Sequence, residues 1–410
     1  MTGLLLLLAC GARDASVQSP APEPAAPTGP RHVASEGLEA DLAATQAFFA
    51  TRPLIEQPLG TGITPVPGLP DLSARTCGTC HTELYEEWRV SVHAVAWIDP
   101  QYQGEIGKSG NRWLCLNCHT PLLVQQDLWP RGLVDDDVEQ PILAPSAVFD
   151  ADLRDEGITC AACHVRDGAI LGPGLGGDAP HPVVVDPSFR TSAVCERCHQ
   201  AEAVYPEKSF VCTFQTGDEW RAGPHDDEGT TCQECHMPVI ERPAAVGGPT
   251  RTIARHWWRG AGIPKIAGRY PPLEANPPGL ALEAEHDGEH LKLVLTNANA
   301  GHRLPTGDPE RWVQVDVQFH DAAGTEVGSW QHRMGQTWDW SIPPKKIADN
   351  RLAPRESRTE RVPVPASAVS ATVAASSHRI SAENAEYHHL GDYPRSVETH
   401  RLQVPLTTQP

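Results

Sequence analysis

The stretch Cys77-Gly-Thr-Cys80-His81 decides what kind of fold this chain of 410 residues can adopt. Cys-x-x-Cys-His is the attachment pattern of c-type haem, in which two cysteines form thioethers to the porphyrin and the histidine ligates the iron. The pattern recurs four times: Cys115, Cys118 and His119; Cys160, Cys163 and His164; Cys195, Cys198 and His199; and Cys232, Cys235 and His236. The sequence therefore predicts five covalently bound haem c groups, each with one of these histidines as an iron ligand.

Zinc is the alternative occupant of these motifs, because paired Cys-x-x-Cys units can form four-cysteine zinc sites. Zinc would not require a histidine directly after every pair, however, and five pairs cannot be divided evenly among such sites. Ten of the twelve cysteines lie in the motifs, which leaves Cys10 and Cys212 and argues against a disulfide framework. Cys212 has apolar neighbours, and we expect it to be a buried thiol.

The second axial ligand decides what each iron can do. A second histidine fills the last coordination position and suits electron transfer, whereas an open position permits chemistry on a substrate. Methionine, another ligand, occurs only three times, so bis-histidine ligation is the default prediction. Fourteen histidines lie outside the motifs, which is nineteen less five. The candidate distal ligands among them are His93, His181, His225, His256 and His302. His388 and His389 are the substitutes if one of these fails.

Two further sequence features flank the first and last motifs. Tyr85-x-x-Trp-x-x-Ser-x-His93 follows the first, and the last continues as Cys232-Gln-Glu-Cys-His-Met-Pro238. Together they resemble the multihaem cytochrome c superfamily, which includes the tetrahaem electron carrier of ammonia oxidisers, hydroxylamine oxidoreductase and pentahaem nitrite reductase. The resemblance covers residues 71–260. It implies closely packed haem pairs and bis-histidine ligation, with His93 and His225 serving haems other than those of their nearest motifs.

Two departures limit what this resemblance implies about function. Pentahaem nitrite reductases are marked by a Cys-x-x-Cys-Lys catalytic haem, whereas all five motifs here end in histidine, and the chain lacks the further motifs of hydroxylamine oxidoreductase. We therefore predict electron transfer between redox partners along mostly bis-histidine haems, with no catalytic residue. Two alternatives stay open: a reductase or oxidase of a small inorganic nitrogen or sulfur species at one five-coordinate haem, and a subunit of an extracellular cytochrome filament.

Composition and spacing divide the chain into four predicted segments. These are a signal peptide (1–9), a lipid-anchor tether and linker (10–70), a pentahaem cytochrome c domain (71–271) and a β-sandwich domain (272–410). In the third segment, gaps of 33, 40, 30 and 32 residues between motifs leave room for short helices and loops around stacked haems. The clearest helix there is 81–93, whose apolar residues recur at spacings of three and four.

The last segment alternates apolar and polar residues, most clearly over 313–319, with turn signals between the runs. This two-residue period predicts an all-β sandwich. The loop 301–307 lies between two of its strands and contains His302. If His302 ligates a haem, the loop docks the sandwich and the two domains form one rigid unit. If it does not, the sandwich is an independent partner-binding or spacer module.

The N-terminus bears on location, since haem c is attached outside the cytoplasm. The apolar run Leu4–Ala9 ends in Leu-Leu-Ala-Cys10, which resembles a bacterial lipoprotein processing site and would make Cys10 the lipidated first residue. A secretory signal with an incidental cysteine is the alternative, and no Lys or Arg precedes the apolar run. We predict a periplasmic or outer-membrane, cell-surface lipoprotein, in which the proline-rich run 18–30 forms an extended tether.

The formal net charge of −19 argues against nucleic acid as a partner. It favours a basic redox protein, whose association would weaken with rising salt concentration. The alternative explanation of this net charge is that it serves only to keep the protein soluble. A homo-oligomer or filament is a further assembly that the sequence allows.

Overall fold

The computed structural model of the protein describes most of the chain. The described residues are 30–107, 112–174, 177–205, 210–266, 268–269, 277–341 and 343–406. The predicted signal peptide, Cys10 and the proline-rich run up to residue 29 lie outside the described residues, as does the side chain of Cys212. Within these ranges, no helix combines the length and the apolar composition that crossing a bilayer requires.

The part of the chain that contains the motifs folds into short helices and small sheets. Its helices are α1 (Leu38–Ala50), α2 (Ala74–Gly78), α3 (Thr82–Trp88), α4 (Pro100–Ile106), α5 (Arg112–His119), α6 (Ala151–Asp155), α7 (Cys160–His164), α8 (Ala193–His199), α9 (Thr216–Arg221), α10 (Pro224–Asp227) and α11 (Cys232–His236). Its strands are β1 (Arg31–His32), β2 (Leu128–Leu133), β3 (Pro141–Pro145), β4 (Val165–Arg166), β5 (Ala169–Gly172), β6 (Val183–Val185), β7 (Gln200–Tyr205), β8 (Phe210–Gln215), β9 (Val239–Pro243) and β10 (Thr250–Ala254). They pair in the orders β1-β3-β2, β4-β5-β6, β7-β8 and β10-β9.

Every motif lies in or beside one of these helices. Helices α5, α7, α8 and α11 end at the motif histidine, and α2 contains the first cysteine of its motif. Local caps start two of them: the Ser73 side chain accepts a hydrogen bond from Arg75 N at α2, and Thr231 and Glu234 form a capping box at α11. A helical turn brings residues i, i+3 and i+4 to one face. The two cysteines and the histidine of each motif can therefore meet one porphyrin.

The helix predicted over 81–93 is shorter in the structure. Helix α3 ends at Trp88, whose indole Nε1 donates a hydrogen bond to Ile158 O at 2.8 Å. The β-branched valines at positions 90 and 92 have low helix propensity, so a tertiary contact at Trp88 is enough to end the helix. His93 therefore lies in a bend after the helix and not on it.

Buried apolar residues of this part form several small clusters. One of them, where α1 packs against β2, consists of Phe49, Trp113, Leu114, Leu123, Trp129 and Val138. Another consists of Val66, Leu122, Val124, Leu153, Ala161 and Val165. Separate small clusters fit a chain that wraps large apolar cofactors, since the cofactors would supply the rest of the buried apolar volume.

The chain from residue 277 onward is β-rich. Its elements are β11 (Leu280–Asp287), β12 (His290–Asn297), β13 (Trp312–His320), β14 (Glu326–Asp339), β15 (Lys345–Asp349), β16 (Ser357–Pro363), β17 (Ser370–His378), α12 (Ala382–Tyr387) and β18 (Ser396–Pro405). They form a three-stranded sheet in the order β11-β12-β16 and a five-stranded sheet in the order β15-β14-β13-β17-β18. Neighbouring strands are antiparallel throughout.

Inward-facing residues of both sheets form one hydrophobic core. Leu291, Leu293 and Leu295 on β12 are fully buried, as are Val315 and Val317 on β13. Burying an aliphatic side chain of this size contributes about 1.5–3 kcal/mol to folding. The alternation in the sequence therefore marks the face of each strand that meets the core.

Buried ion pairs join α9 to the β-rich domain. The Glu219 carboxylate, on α9, accepts hydrogen bonds from the Arg351 guanidinium and from Thr306 Oγ1, each at 2.6 Å. Arg351 also pairs with Asp349 at 2.8 Å, and both Glu219 and Arg351 are buried. A buried charge left without its partner typically costs about 3–5 kcal/mol, so this junction resists separation. Thr306 belongs to the loop that contains His302, which is thereby fixed to the motif-bearing domain.

Candidate haem-ligand sites

Four motif histidines each face a second histidine at nearly the same separation. The ring centres are 6.4 Å apart for His81 and His181, 6.3 Å for His199 and His93, 6.2 Å for His164 and His256, and 6.3 Å for His236 and His302. An iron bound by two axial imidazoles at about 2 Å each holds the ring centres roughly 6 Å apart. The four pairs therefore fit bis-histidine haem c in position and separation.

Hydrogen bonds to the backbone fix which ring nitrogen faces the cofactor. Nδ1 of four motif histidines lies within hydrogen-bond distance of a carbonyl oxygen: His81 with Ala244 (2.7 Å), His119 with Ala96 (2.8 Å), His164 with Leu171 (2.8 Å) and His236 with Arg259 (2.6 Å). A carbonyl oxygen only accepts, so Nδ1 must carry the hydrogen and donate it. Nε2 is left with its lone pair, which is the form that ligates a metal.

Two of the candidate distal histidines also donate a hydrogen bond from Nδ1 to a backbone carbonyl. His256 Nδ1 donates to Ala254 O and His302 Nδ1 to Arg303 O, both at 3.0 Å. The buried Nδ1 of His181 has no hydrogen-bond partner among the described residues. The orientation of the His256 and His302 rings is therefore set by their own backbone.

Burial keeps these imidazoles neutral. Desolvation lowers the pKa of His93 and His256 to about 3, and that of His119, His199 and His302 to about 4. Neighbouring imidazoles add to the effect, as His199 does for the pKa of His93. A ring that is neutral at pH 7 binds iron without first losing a proton.

Two glycines let the backbone pass close to distal histidines. Gly68 has a φ of +88°, and a side chain there would collide with the carbonyl oxygen of Pro180, the residue before His181. Gly157 has a φ of +60°, and a Cβ there would lie 2.9 Å from His93 O. Both positions combine left-handed backbone with close contact, which only glycine accepts without strain.

His256 is held by a buried carboxylate. Glu87 Oε2 accepts a hydrogen bond from His256 N at 2.8 Å. The same carboxylate pairs with Arg242 at 2.8 Å and with Arg255 at 3.0 Å. Two arginines therefore compensate the buried charge, and the start of the 256–259 segment is tied to α3.

His302 brings the β-rich domain into the site. Its ring lies opposite that of His236, and the Asn297 side chain donates to His302 O at 2.8 Å. The loop 301–307 is also bound to Glu219 through Thr306. This geometry favours the docked arrangement of the two domains over an independent module.

His225, the fifth predicted distal ligand, stays a prediction. His225 lies in α10, with Nδ1 3.8 Å from Glu228 Oε2, and its ring packs against Gly301. Among the described residues, it does not face a motif histidine at the separation of the four pairs. Gly301 is followed by His302, whose ring lies opposite that of His236.

The second motif differs from the other four. The described residues include all nineteen histidines, and none of these rings lies opposite His119 at about 6 Å. Tyr102 on α4 instead stacks flat on His119, with ring centres 3.7 Å apart and planes 3° apart. The substitute candidate His388 lies near α4, but its Nε2 pairs with Glu105 at 2.7 Å. His119 is therefore the one motif histidine for which these contacts provide no distal histidine.

A chain of polar contacts ties the β-rich domain to the segment that holds His119. Asp99 caps the start of α4, where its side chain accepts from Gln101 N, and it also binds Lys265. Tyr393 Oη donates to Asp99 at 2.8 Å, and Arg379 donates to Tyr393 Oη at 2.6 Å. The position of Tyr102 on α4, and hence the packing of His119, depends on this chain.

The attachment cysteines of different motifs touch one another. The side chains of Cys77 and Cys160, of Cys118 and Cys198, and of Cys195 and Cys232 lie next to each other. These contacts connect the first motif with the third, the second with the fourth, and the fourth with the fifth. Haems attached to these cysteines would have their attachment edges close together, and such proximity is the condition for electron exchange between them.

Two functional candidates were not identified from the sequence. Tyr102 and Trp258 both contact imidazole rings of the site. No spacing pattern marks either of them, since each reaches its histidine through tertiary contacts. Trp258 is one of two adjacent tryptophans after His256, and that cluster of aromatic residues was the one signal that could have drawn attention to it.

Comparisons with known proteins agree with this geometry. A family model described as cytochrome c554 and c-prime matches residues 76–137. A solved structure, a penta-heme cytochrome c552 from Thermochromatium tepidum, aligns with a TM-score of 0.59 at 20% identity, covering 82% of this chain and 98% of that chain. These findings support a multihaem c-type cytochrome. A search of curated proteins finds no match. Neither match bears on packing like that of hydroxylamine oxidoreductase, which stays a prediction.

Proposed function

We propose that this multihaem cytochrome carries five haem c groups and transfers electrons between redox partners. The observation that carries the proposal is the set of four histidine pairs with ring centres 6.2–6.4 Å apart. Two histidines on one iron leave no position for a substrate. Haem c, when bound, supplies reversible one-electron chemistry. Four of the five sites are then suited to passing electrons and unsuited to bond chemistry.

The protein's own residues set how readily each site accepts an electron. Nδ1–H donation to a carbonyl orients the rings of His81, His119, His164 and His236 and makes them stronger donors to the metal, which favours the oxidised state. Two imidazole ligands favour low reduction potentials compared with a methionine ligand. The contacts between attachment cysteines join the first motif with the third and the second with the fourth and fifth. Trp258, which contacts His93 and His256, joins these two groups. An electron that enters at one haem can therefore reach the others.

The β-rich domain has a ligand role in this proposal. We infer that its two sheets form a sandwich that presents His302 to the haem of the fifth motif. The net charge of −19 favours a basic protein as electron donor or acceptor.

A redox titration tests the carrier function. We expect the pyridine haemochrome assay to give five haems per chain, and a spectroelectrochemical titration to give five reversible one-electron steps, most of them at negative potentials. Metal analysis serves as the control, because zinc in place of iron would contradict the proposal. A haem content below five per chain would also contradict it.

A second candidate function is favoured by the geometry of His119. With no histidine opposite it, the haem of the second motif could bind a small inorganic nitrogen or sulfur species. The protein would then be a reductase or oxidase at one haem, and the other four haems would carry electrons to or from it.

We also propose that Cys10 anchors the protein to a bacterial membrane through a lipid. Replacing Cys10 with Ala is expected to move most of the protein from the membrane fraction to the soluble fraction, since a lipidated terminus would be the attachment. Cell fractionation followed by haem staining measures this. Cys212→Ala is the matched control, as the second cysteine outside the motifs. Membrane association that survives Cys10→Ala would contradict the anchor.

A further inference from the structure

Trp258 lies between histidines that belong to two different pairs. Its ring centre is 4.6 Å from that of His93 and 5.0 Å from that of His256. The indole is tilted by 55° from the His93 ring and is nearly perpendicular, at 83°, to the His256 ring. His93 faces the fourth-motif histidine and His256 the third-motif histidine, so one side chain contacts the distal ligand candidates of two sites.

The backbone of Trp258 is held in a strained conformation. Its φ is +43°, in the left-handed region that a bulky side chain rarely adopts. Contacts on both sides impose it: His256 N donates to Glu87 Oε2 at 2.8 Å, and Arg259 O accepts from His236 Nδ1 at 2.6 Å. Strain of this kind persists only where the surroundings over-determine it, which points to a role for the residue.

Packing keeps the indole in place. Trp258 packs against the buried cluster of Ala74, Trp88 and Ala94. Trp88 in that cluster is itself fixed by its hydrogen bond to Ile158 O. The neighbouring Trp257 has a different environment, since its ring lies under the Arg255 guanidinium at 4.2 Å. The contact with the two histidines is thus a property of position 258 and not of the aromatic pair as a whole.

We propose that Trp258 is a positioning residue that fixes the ring planes of His93 and His256. This rests on the proposed bis-histidine ligation. The planes within the two pairs differ by 53° for His93 with His199 and by 33° for His164 with His256. The angle between two axial imidazole planes determines the d-orbital splitting of a low-spin iron. By fixing both ring planes, the Trp258 indole therefore sets the d-orbital splitting of the irons at the third and fourth motifs together.

Electron paramagnetic resonance of Trp258→Ala in the full-length holoprotein tests this. Two of the four low-spin signals are expected to shift in their largest g value, and two of the midpoint potentials are expected to shift with them. The signals of the other two pairs, His81 with His181 and His236 with His302, should not move. Trp258→Phe, which keeps an aromatic ring, should restore the wild-type signals. Trp257→Ala is the matched control and should leave all four unchanged.

The outcomes separate this role from a general structural one. Four unchanged signals in Trp258→Ala would overturn the proposal, and so would an equal change in all four. If Trp258→Ala loses haem, Trp258→Leu fills the space without the aromatic ring and should give the same two shifts. A wild-type spectrum without low-spin bis-histidine signals would overturn the proposed function itself, whereas a normal wild type with an unaffected Trp258→Leu overturns only the role of Trp258.

Discussion

Replacing His302 with Ala is expected to convert one low-spin haem of the oxidised protein to high spin. The same haem should rise in midpoint potential by on the order of 100 mV, because an imidazole ligand stabilises the ferric state. The ring of His302 lies 6.3 Å from that of His236 and only 17° from parallel to it. Electron paramagnetic resonance and a redox titration of the variant measure the two effects.

The fold is expected to survive this substitution. Thr306 and Arg351 hold the loop to Glu219 by contacts that do not involve the imidazole. Free imidazole added to His302→Ala should therefore restore the low-spin signal by occupying the place of the lost side chain. His290→Ala, at the turn between β11 and β12, is the control and should change nothing. A His302→Ala spectrum identical to wild type would remove His302 from the ligands and leave the β-rich domain as a separate module.

The sequence was a good guide wherever a local pattern is tied to chemistry. Each Cys-x-x-Cys-His motif directly predicts its attachment cysteines and its iron-ligating histidine. The two-residue alternation over 313–319 marks buried strand positions because strand geometry is periodic. The distal histidines were harder to assign. His93 and His256 were identified from their neighbours in sequence, but their partners, the fourth and third motifs, come from the tertiary fold. Only the structure shows these pairings.

His225 stays a predicted distal ligand, because these contacts place no motif histidine opposite it among the described residues. It precedes the fifth motif by a few residues, yet α10 turns it towards Gly301 at the domain junction. The histidine whose ring lies opposite that of the fifth-motif histidine is His302, far along the chain. Tyr102 and Trp258 were missed for a related reason. An aromatic residue in a sequence carries no sign of which ring it stacks on, and a positive φ at a tryptophan leaves no trace in composition.

The oxidised protein is expected to show one high-spin haem beside four low-spin haems. The high-spin haem should be that of the second motif, since His119 is the motif histidine with no distal histidine among the described residues. His225→Ala should leave all five signals unchanged, because His225 lies at the domain junction. His256→Ala is the matched comparison and should add a second high-spin signal, as it removes a histidine that faces a motif histidine at 6.2 Å.

Small ligands then decide between the carrier and the enzyme. Cyanide, nitrite, hydroxylamine and sulfite are each expected to perturb the one high-spin signal if its iron is accessible, and to leave the four low-spin signals in place. Steady turnover of nitrite, hydroxylamine or sulfite with an artificial electron donor or acceptor would favour the enzyme, whereas binding without turnover favours the carrier. Five low-spin signals in the wild type would contradict the geometry of His119. Loss of a low-spin signal in His225→Ala that free imidazole restores, with the His302 signal unchanged, would return His225 to the ligand set.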